Sequence, residues 1–365
     1  MTAKLFLYPC LLVMLMASSS AREVLPDHDA KHPAIQPRVI TEPVGHDTDD
    51  PAIWVNRANP AASLVIGTDK DMDGALVVFG LDGQIRHDLS VRGLVRPNNV
   101  DIAYDVMIGG VKTDIAVVSE RYAHRLRAYR LPDMAPVDGG GIPVFEGQVA
   151  REVMGIALYT RSTDGAVFAI VSRSEEGAPR ENYLHQYRLV DDGTGTLRGI
   201  FTRAFGQWSG RKEIEAVAVD NELGYVYYSD ERYGVRKYHA DPLAEDAEDE
   251  LAEIGVTGFA RDHEGISIYQ SGAGTGYILV SNQQADTFRI FPREGSNGDP
   301  HAHPFLTSVR VAAMDSDGSD VTNAELPGFP GGLFVVMSTD RTFHFYAWAD
   351  IAGKELDHVK VPTKK

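Results

Sequence analysis

Cysteine occurs once in the 365 residues, at Cys10. It falls inside an N-terminal apolar run, so the remainder of the chain can use neither disulfides nor thiolate metal sites. Basic charge is also short. Lys and Arg number 35 against 52 Asp and Glu, a formal net charge of −17. Such a chain repels nucleic acid and anionic membranes at long range. No segment sustains a helical apolar period over a dozen residues. No G-x-S-x-G nucleophile elbow is present. GAGTG at 272–276 lacks the lysine and helix of a phosphate loop and reads as a hairpin turn. No histidines stand paired at ligand spacing: His301 and His303 lie in turn-rich SNGDPHAHP and read as exposed. His263 is expected to face away from its neighbours Asp262 and Glu264.

The first 21 residues place Lys4 before an apolar run, followed by small residues ending at Ala21. This is the layout of a secretory signal peptide, and the apolar run is far too short to span a bilayer. Secretion or delivery to a periplasm is the expectation. Residues 22–40 read as a loose lead-in, 41–355 as one domain, and 356–365 as a tail.

What the sequence has in abundance is turns and short β-rich runs, with 35 glycines and 19 prolines. Six runs end in Ser or Thr: VIGT (Thr68), AVVS (Ser119), AIVS (Ser172), VYYS (Ser229), ILVS (Ser281) and VVMS (Ser338), spaced 51 to 57 residues apart. A strand-filled period of this size indicates an all-β, six-bladed β-propeller, with four-stranded antiparallel blades around a central channel. The Ser/Thr endings read as strand-end turn residues. Before most of these runs stands another strand that starts with acids or amides: DDPAIWV (49–55), NNVDIAY (98–104), EIEAVAV (213–219), DHEGISIY (262–269) and DSDGSDV (315–321). A propeller gathers these starts, and the residues just after each Ser/Thr ending, around one axial mouth. Lys70, Arg121, Arg173, Asp230, Glu231 and Gln283 should face it.

Several converging carboxylates cannot all stay ionised unaided; they share protons or bind cations. With only oxygen donors available the cation is hard, and the number of carboxylates favours Ca²⁺ over Mg²⁺. The candidate ligands are Asp49, Asp50, Glu215, Asp262 and Glu264, with Asp101 beside them, enough for several ions. Lys70, Arg121 and Arg173 on the same rim suit a polyanion such as a phosphate ester, with Gln283 beside them. A water held by Ca²⁺ and a carboxylate would be the nucleophile.

DDPAIWV and NNVDIAYD, followed by DIAVVSER, DHEGISIY and DSDGSDV, resemble the β-propeller phytases over most of residues 41–349. That resemblance implies a secreted, calcium-dependent enzyme releasing phosphate from inositol hexakisphosphate, taken as its calcium complex. It implies that Lys70 and Arg121 bind the scissile phosphate. It also implies that Glu215, Asp262, Glu264 and one of Asp230/Glu231 hold catalytic calcium, with Glu215 and Glu231 as catalytic carboxylates. Through it Asp230, Asp315 and Asp317 join the ligand set. Two positions depart from the pattern. Met154 stands where the family has a tyrosine, and SRSEEG offers Arg173 where it has a phosphate-gripping lysine. A monomer with no nucleic-acid or membrane partner is expected. A calcium-stabilised binding module and a propeller lactonase or sugar-acid hydrolase remain as alternatives, and neither needs both Lys70 and Arg121.

Overall fold

The computed structural model describes residues 33–354 and 356. The expected leader, residues 22–32 of the lead-in and residues 357–365 lie outside them. The described chain forms six antiparallel sheets arranged as blades. Blade 1 runs through Thr48–Trp54, Leu64–Asp69, Gly74–Gly80 and Val91–Leu94. The inner pair of blade 2 is Pro97–Ile108 and Val111–Glu120. Blade 3 starts with Val153–Thr160 and Val167–Arg173, and blade 4 with Val217–Asp220 and Tyr225–Asp230. His263–Gly272 and Thr275–Asn282 open blade 5. Blade 6 is Ser319–Thr322, Leu333–Ser338 and Thr342–Ala347. Its outer strand comes from the other end of the chain: Val39 and Ile40 pair with Phe345 and His344. The lead-in is therefore not loose at its end. A ring without this closure would leave an open sheet edge and an unfilled blade.

The continuous apolar runs follow from the ring. Along Val111–Glu120, Ile115 and Val117 pack with blade 3 residues such as Ile156 and Val171. Ala116 and Val118 point the other way, against Ile66 and Val78 of blade 1. Alternate side chains thus serve different neighbours, and each blade-to-blade seam is a separate apolar cluster. Each fully buried Val, Leu or Ile contributes about 1.5–3 kcal/mol.

Four of the six Ser/Thr endings are more than turn residues. Ser119 Oγ donates to Met154 O of the next blade, Ser172 to Ile214 O (2.6 Å), Ser229 to Glu264 O (2.9 Å) and Ser281 to Ser316 O (2.8 Å). They bolt successive blades together just under the rim. Inner strands of blades 1, 2, 3 and 5 carry a register shift at the same level, between Thr48 and Pro51, Pro97 and Val100, Val153 and Ile156, and His263 and Ile266. Such bulges re-aim side chains near the ends of strands. At Gly155 a Cβ would lie 1.8 Å from Glu215 O, so only glycine lets the blade 4 rim come that close.

Candidate active site at the propeller mouth

The inner strands line an axial cavity of about 280 Å³ to which all six blades contribute. Asp50, Asp101 and Asp320 stand in it, and each clips its blade to the next. Asp320 accepts from Ile53 N (2.8 Å), Asp50 from Val100 N (3.0 Å) and Asp101 from Leu158 N (2.6 Å). Burial raises all three pKa values, Asp101 to about 7 and Asp320 to about 6. Asp50 and Asp101, both expected to be metal ligands, therefore sit in the channel, committed to backbone.

Above the channel the rim carries two nests of acid around lysine. In the first, Lys70 Nζ pairs with Asp49 Oδ1 and lies 3.6 Å from Asp317 Oδ2. Gln283 Nε2 donates to Asp317 Oδ1. Burial opposes the lysine charge, but Asp49, Glu215 and Asp317 outweigh it and hold its pKa above the ordinary value. Burial, opposed by Lys70, pushes Asp317 up to about 6.

The second nest holds Glu231, Asp262 and Glu264, with Lys212 at its centre. Lys212 Nζ pairs with Glu231 Oε2 and lies 3.3 Å from Glu264 Oε1 and 3.4 Å from Asp262 Oδ2. Asp262 also takes Arg232 Nε at 2.7 Å and Gln284 Nε2 at 3.1 Å. Burial works against its charge, but Arg232 and Lys212 prevail and lower its pKa. Burial pushes Glu231 up to about 8 and raises Glu264, which also feels the Glu231 charge. Glu215 joins the nests: its Oε1 accepts from Asn98 Nδ2. Glu213, Glu215 and Glu231 can offer oxygens within 4.8 Å of one another, as can Glu231, Asp262 and Glu264. Arg121 flanks them, with Nε 3.2 Å from Glu152 Oε2 and a guanidinium nitrogen 3.9 Å from Glu213 Oε2.

The structure thus brings together Lys70, Arg121, Asp49, Glu215, Glu231, Asp262, Glu264, Asp317 and Gln283. Of the pair at 230 and 231, Glu231 enters the nest. Asp230 faces Ser209 and Arg236 Nε (2.9 Å). Arg173 is not at the mouth. Its guanidinium is buried, donating to Tyr183 O (2.9 Å) and Asn182 O (3.0 Å) and covering the Phe145 ring. Asp315 occupies the left-handed region at φ 46°, with its amide on Asp286 Oδ1. Met154 is buried, and its carbonyl takes the Ser119 bolt. His263 does face away, stacked on Phe259 with Nε2 at Gly255 O. His303 is half-buried against Lys237 Nζ (3.1 Å), not exposed as expected.

Lys212 and Arg232 were missed, although each is adjacent to a residue that was read. Lys212 immediately precedes Glu213 in the segment ahead of the Val217–Asp220 strand, and Arg232 follows Glu231.

The donor set suits a hard cation. Asp49 Oδ2, Asn98 Oδ1 and Glu264 Oε2 are buried oxygens without a hydrogen-bond partner, beside two groups of converging carboxylates. Orphaned acceptors of this kind are costly unless a cation or water meets them.

Fold and site together define a six-bladed propeller hydrolase whose mouth carries clustered acids, lysines and an arginine. The sequence profile of the Phytase family matches residues 4–345, so the chain belongs to the phytase family and is a phytase. The 3-phytase of Bacillus subtilis (strain 168) is 29% identical over 363 residues, covering 94% of this chain and 90% of that protein. Among solved structures, the WD40 β-propeller domain of Doa1 superposes over 80% of this chain and 77% of its own with a TM-score of 0.43 and 12% identity.

Proposed function

We propose that the protein is a secreted, calcium-dependent phosphomonoesterase that releases phosphate from phytate taken up as its calcium complex. The observation that carries this reading is the meeting of two carboxylate groups that share Glu231 with Lys70 and Arg121 on one mouth. Asp49, Glu215, Glu231, Asp262, Glu264 and Asp317 would hold the ions, several in number. Bound calcium would supply positive charge that offsets charge developing on the phosphoryl oxygens and acidifies a water.

The remaining work falls to the chain. Arg121 offers a forked guanidinium to two phosphoryl oxygens, and Lys70 a point charge from the adjacent blade. Glu152 and Glu213 hold Arg121 in the mouth until substrate takes its donors. Glu215, whose Oε1 accepts from Asn98 Nδ2, would take a proton from the attacking water. The N-terminal leader would deliver the enzyme outside the cytoplasm, where it acts as a monomer.

The test is phosphate release from phytate by the mature protein in millimolar calcium and in excess chelator. Release that needs calcium, with melting temperature falling in chelator, supports the reading. Equal release in both conditions would refute the calcium mechanism.

A further inference from the structure

Lys212 sits where a cation should be. Its ammonium lies within 3.4 Å of Asp262 and Glu264 and pairs with Glu231, the three acids of the converging group that is buried throughout. Its own position is not buried to the same degree: the side chain is 28% exposed, while those of Glu231, Glu264 and Asp262 are 0%, 2% and 6% exposed. The residue stands outside any strand, in the segment between Gln207 and Val217. Its backbone is tethered, because Trp208 Nε1 donates to Lys212 O. The stem is therefore anchored at the rim, and four flexible carbons carry the charge either inward to the acids or outward to the mouth.

An ammonium and a divalent ion cannot share these oxygens. Calcium needs its ligands at about 2.3–2.6 Å, shorter than the lysine's contacts with Asp262 and Glu264. Two cations a few ångströms apart in a partly buried site repel each other strongly. We infer that Lys212 is a tethered competitor of the metal: it neutralises the Glu231–Asp262–Glu264 nest when no ion is bound, and ion binding turns it outward to become a phosphate-binding group. Arg173, buried in blade 3, cannot supply that charge, whereas Lys212 opens onto the same mouth as Lys70 and Arg121. Metal loading would then do two things in one step. It would replace one positive charge with two in the nest, and it would deliver a lysine to the substrate. This inference rests on the calcium-dependent reading above.

The test compares chelator-stripped wild type, Lys212→Met and Lys212→Arg. Calcium binding is measured by calorimetry, and melting is followed with and without calcium. Lys212→Met should melt several degrees lower in chelator, since the carboxylates lose their counter-ion. It should also bind calcium at least about tenfold more tightly at the competing site, where 1.4 kcal/mol corresponds to a tenfold change. Lys212→Arg should keep near wild-type calcium affinity. In saturating calcium, KM for phytate should rise several-fold in Lys212→Met with kcat changed less, and Lys212→Arg should restore it. Unchanged or weaker calcium binding in Lys212→Met, with wild type binding normally, overturns the competition. An unchanged KM overturns the phosphate role. A wild type that binds no calcium refutes the underlying reading and this inference with it.

Discussion

Asp49 and Glu264 on the rim and Asp50, Asp101 and Asp320 in the channel all stand on inner strands, but the two sets are held in different ways. Asp50, Asp101 and Asp320 each receive a backbone N–H from a neighbouring blade, and their role ends in the ring itself. On the rim, Asp49 and Glu264 keep a buried oxygen without a partner, and the charges they face belong to lysines. The two sets differ by little in sequence: Asp49 and Asp50 are adjacent, yet one turns to the mouth and the other to the channel. Acid content alone does not mark a metal site. What marks it is acceptor capacity left over once the backbone has been satisfied.

That contrast can be broken from both sides. The largest effect is expected at the rim: Glu215→Gln should lower phosphate release about 10²–10³-fold while circular dichroism and cooperative unfolding stay unchanged. Turnover within a few-fold of wild type would remove Glu215 from the reacting centre. Arg121→Ala should reduce kcat/KM about 10–100-fold and leave the calcium-induced rise in melting temperature intact. Loss of both together would make Arg121 structural instead.

Substitution in the channel should do the reverse. Asp320→Ala leaves the amides of Ile53 and Val321 without their acceptor, at a cost of about 1–3 kcal/mol read from urea unfolding. Calcium binding and kcat should change little. A loss of calcium binding in this variant would erase the distinction between the two levels.

The smallest effect concerns pH. The folded-state pKa values of Asp101, about 7, and Asp320, about 6, are raised above the unfolded value near 4. The folded state then binds more protons than the unfolded one. Their contribution is fully present below about pH 4 and is lost as pH rises through about 7. In chelator, the urea midpoint should therefore fall between pH 5 and 7, and Asp320→Asn should flatten that slope. A midpoint that rose over this range would show that other groups govern the linkage.

Much of this was legible beforehand because a propeller is periodic. The Ser/Thr endings gave the blade count, although their use as blade-to-blade bolts was not visible: the acceptor of Ser229 lies 35 residues away, at Glu264 O. The rim position of Lys70, Arg121, Glu215, Glu231, Asp262 and Glu264 followed from the repeat together with the family resemblance. The misplacements share one cause. Period assigns a residue to a level of the ring but not to a direction, and the partners within reach of each side chain decide direction. Hence Asp50 and Asp101 turned inward to backbone amides, Asp230 turned to Arg236, and Arg173 turned into its own blade against Phe145. Lys212 lay outside the rule altogether, since it stands in a turn.

The sequence by itself determined the six-fold β-repeat, the surplus of acid and the scarcity of cysteine. These are properties of composition and spacing, which survive without coordinates. Only the tertiary structure decided which acids are spent on backbone, that Val39 and Ile40 close the ring, and that a lysine occupies the most buried acid cluster. Those outcomes depend on contacts between residues far apart in the chain. Whether a buried carboxylate stays available for a cation is decided by which neighbours reach it first.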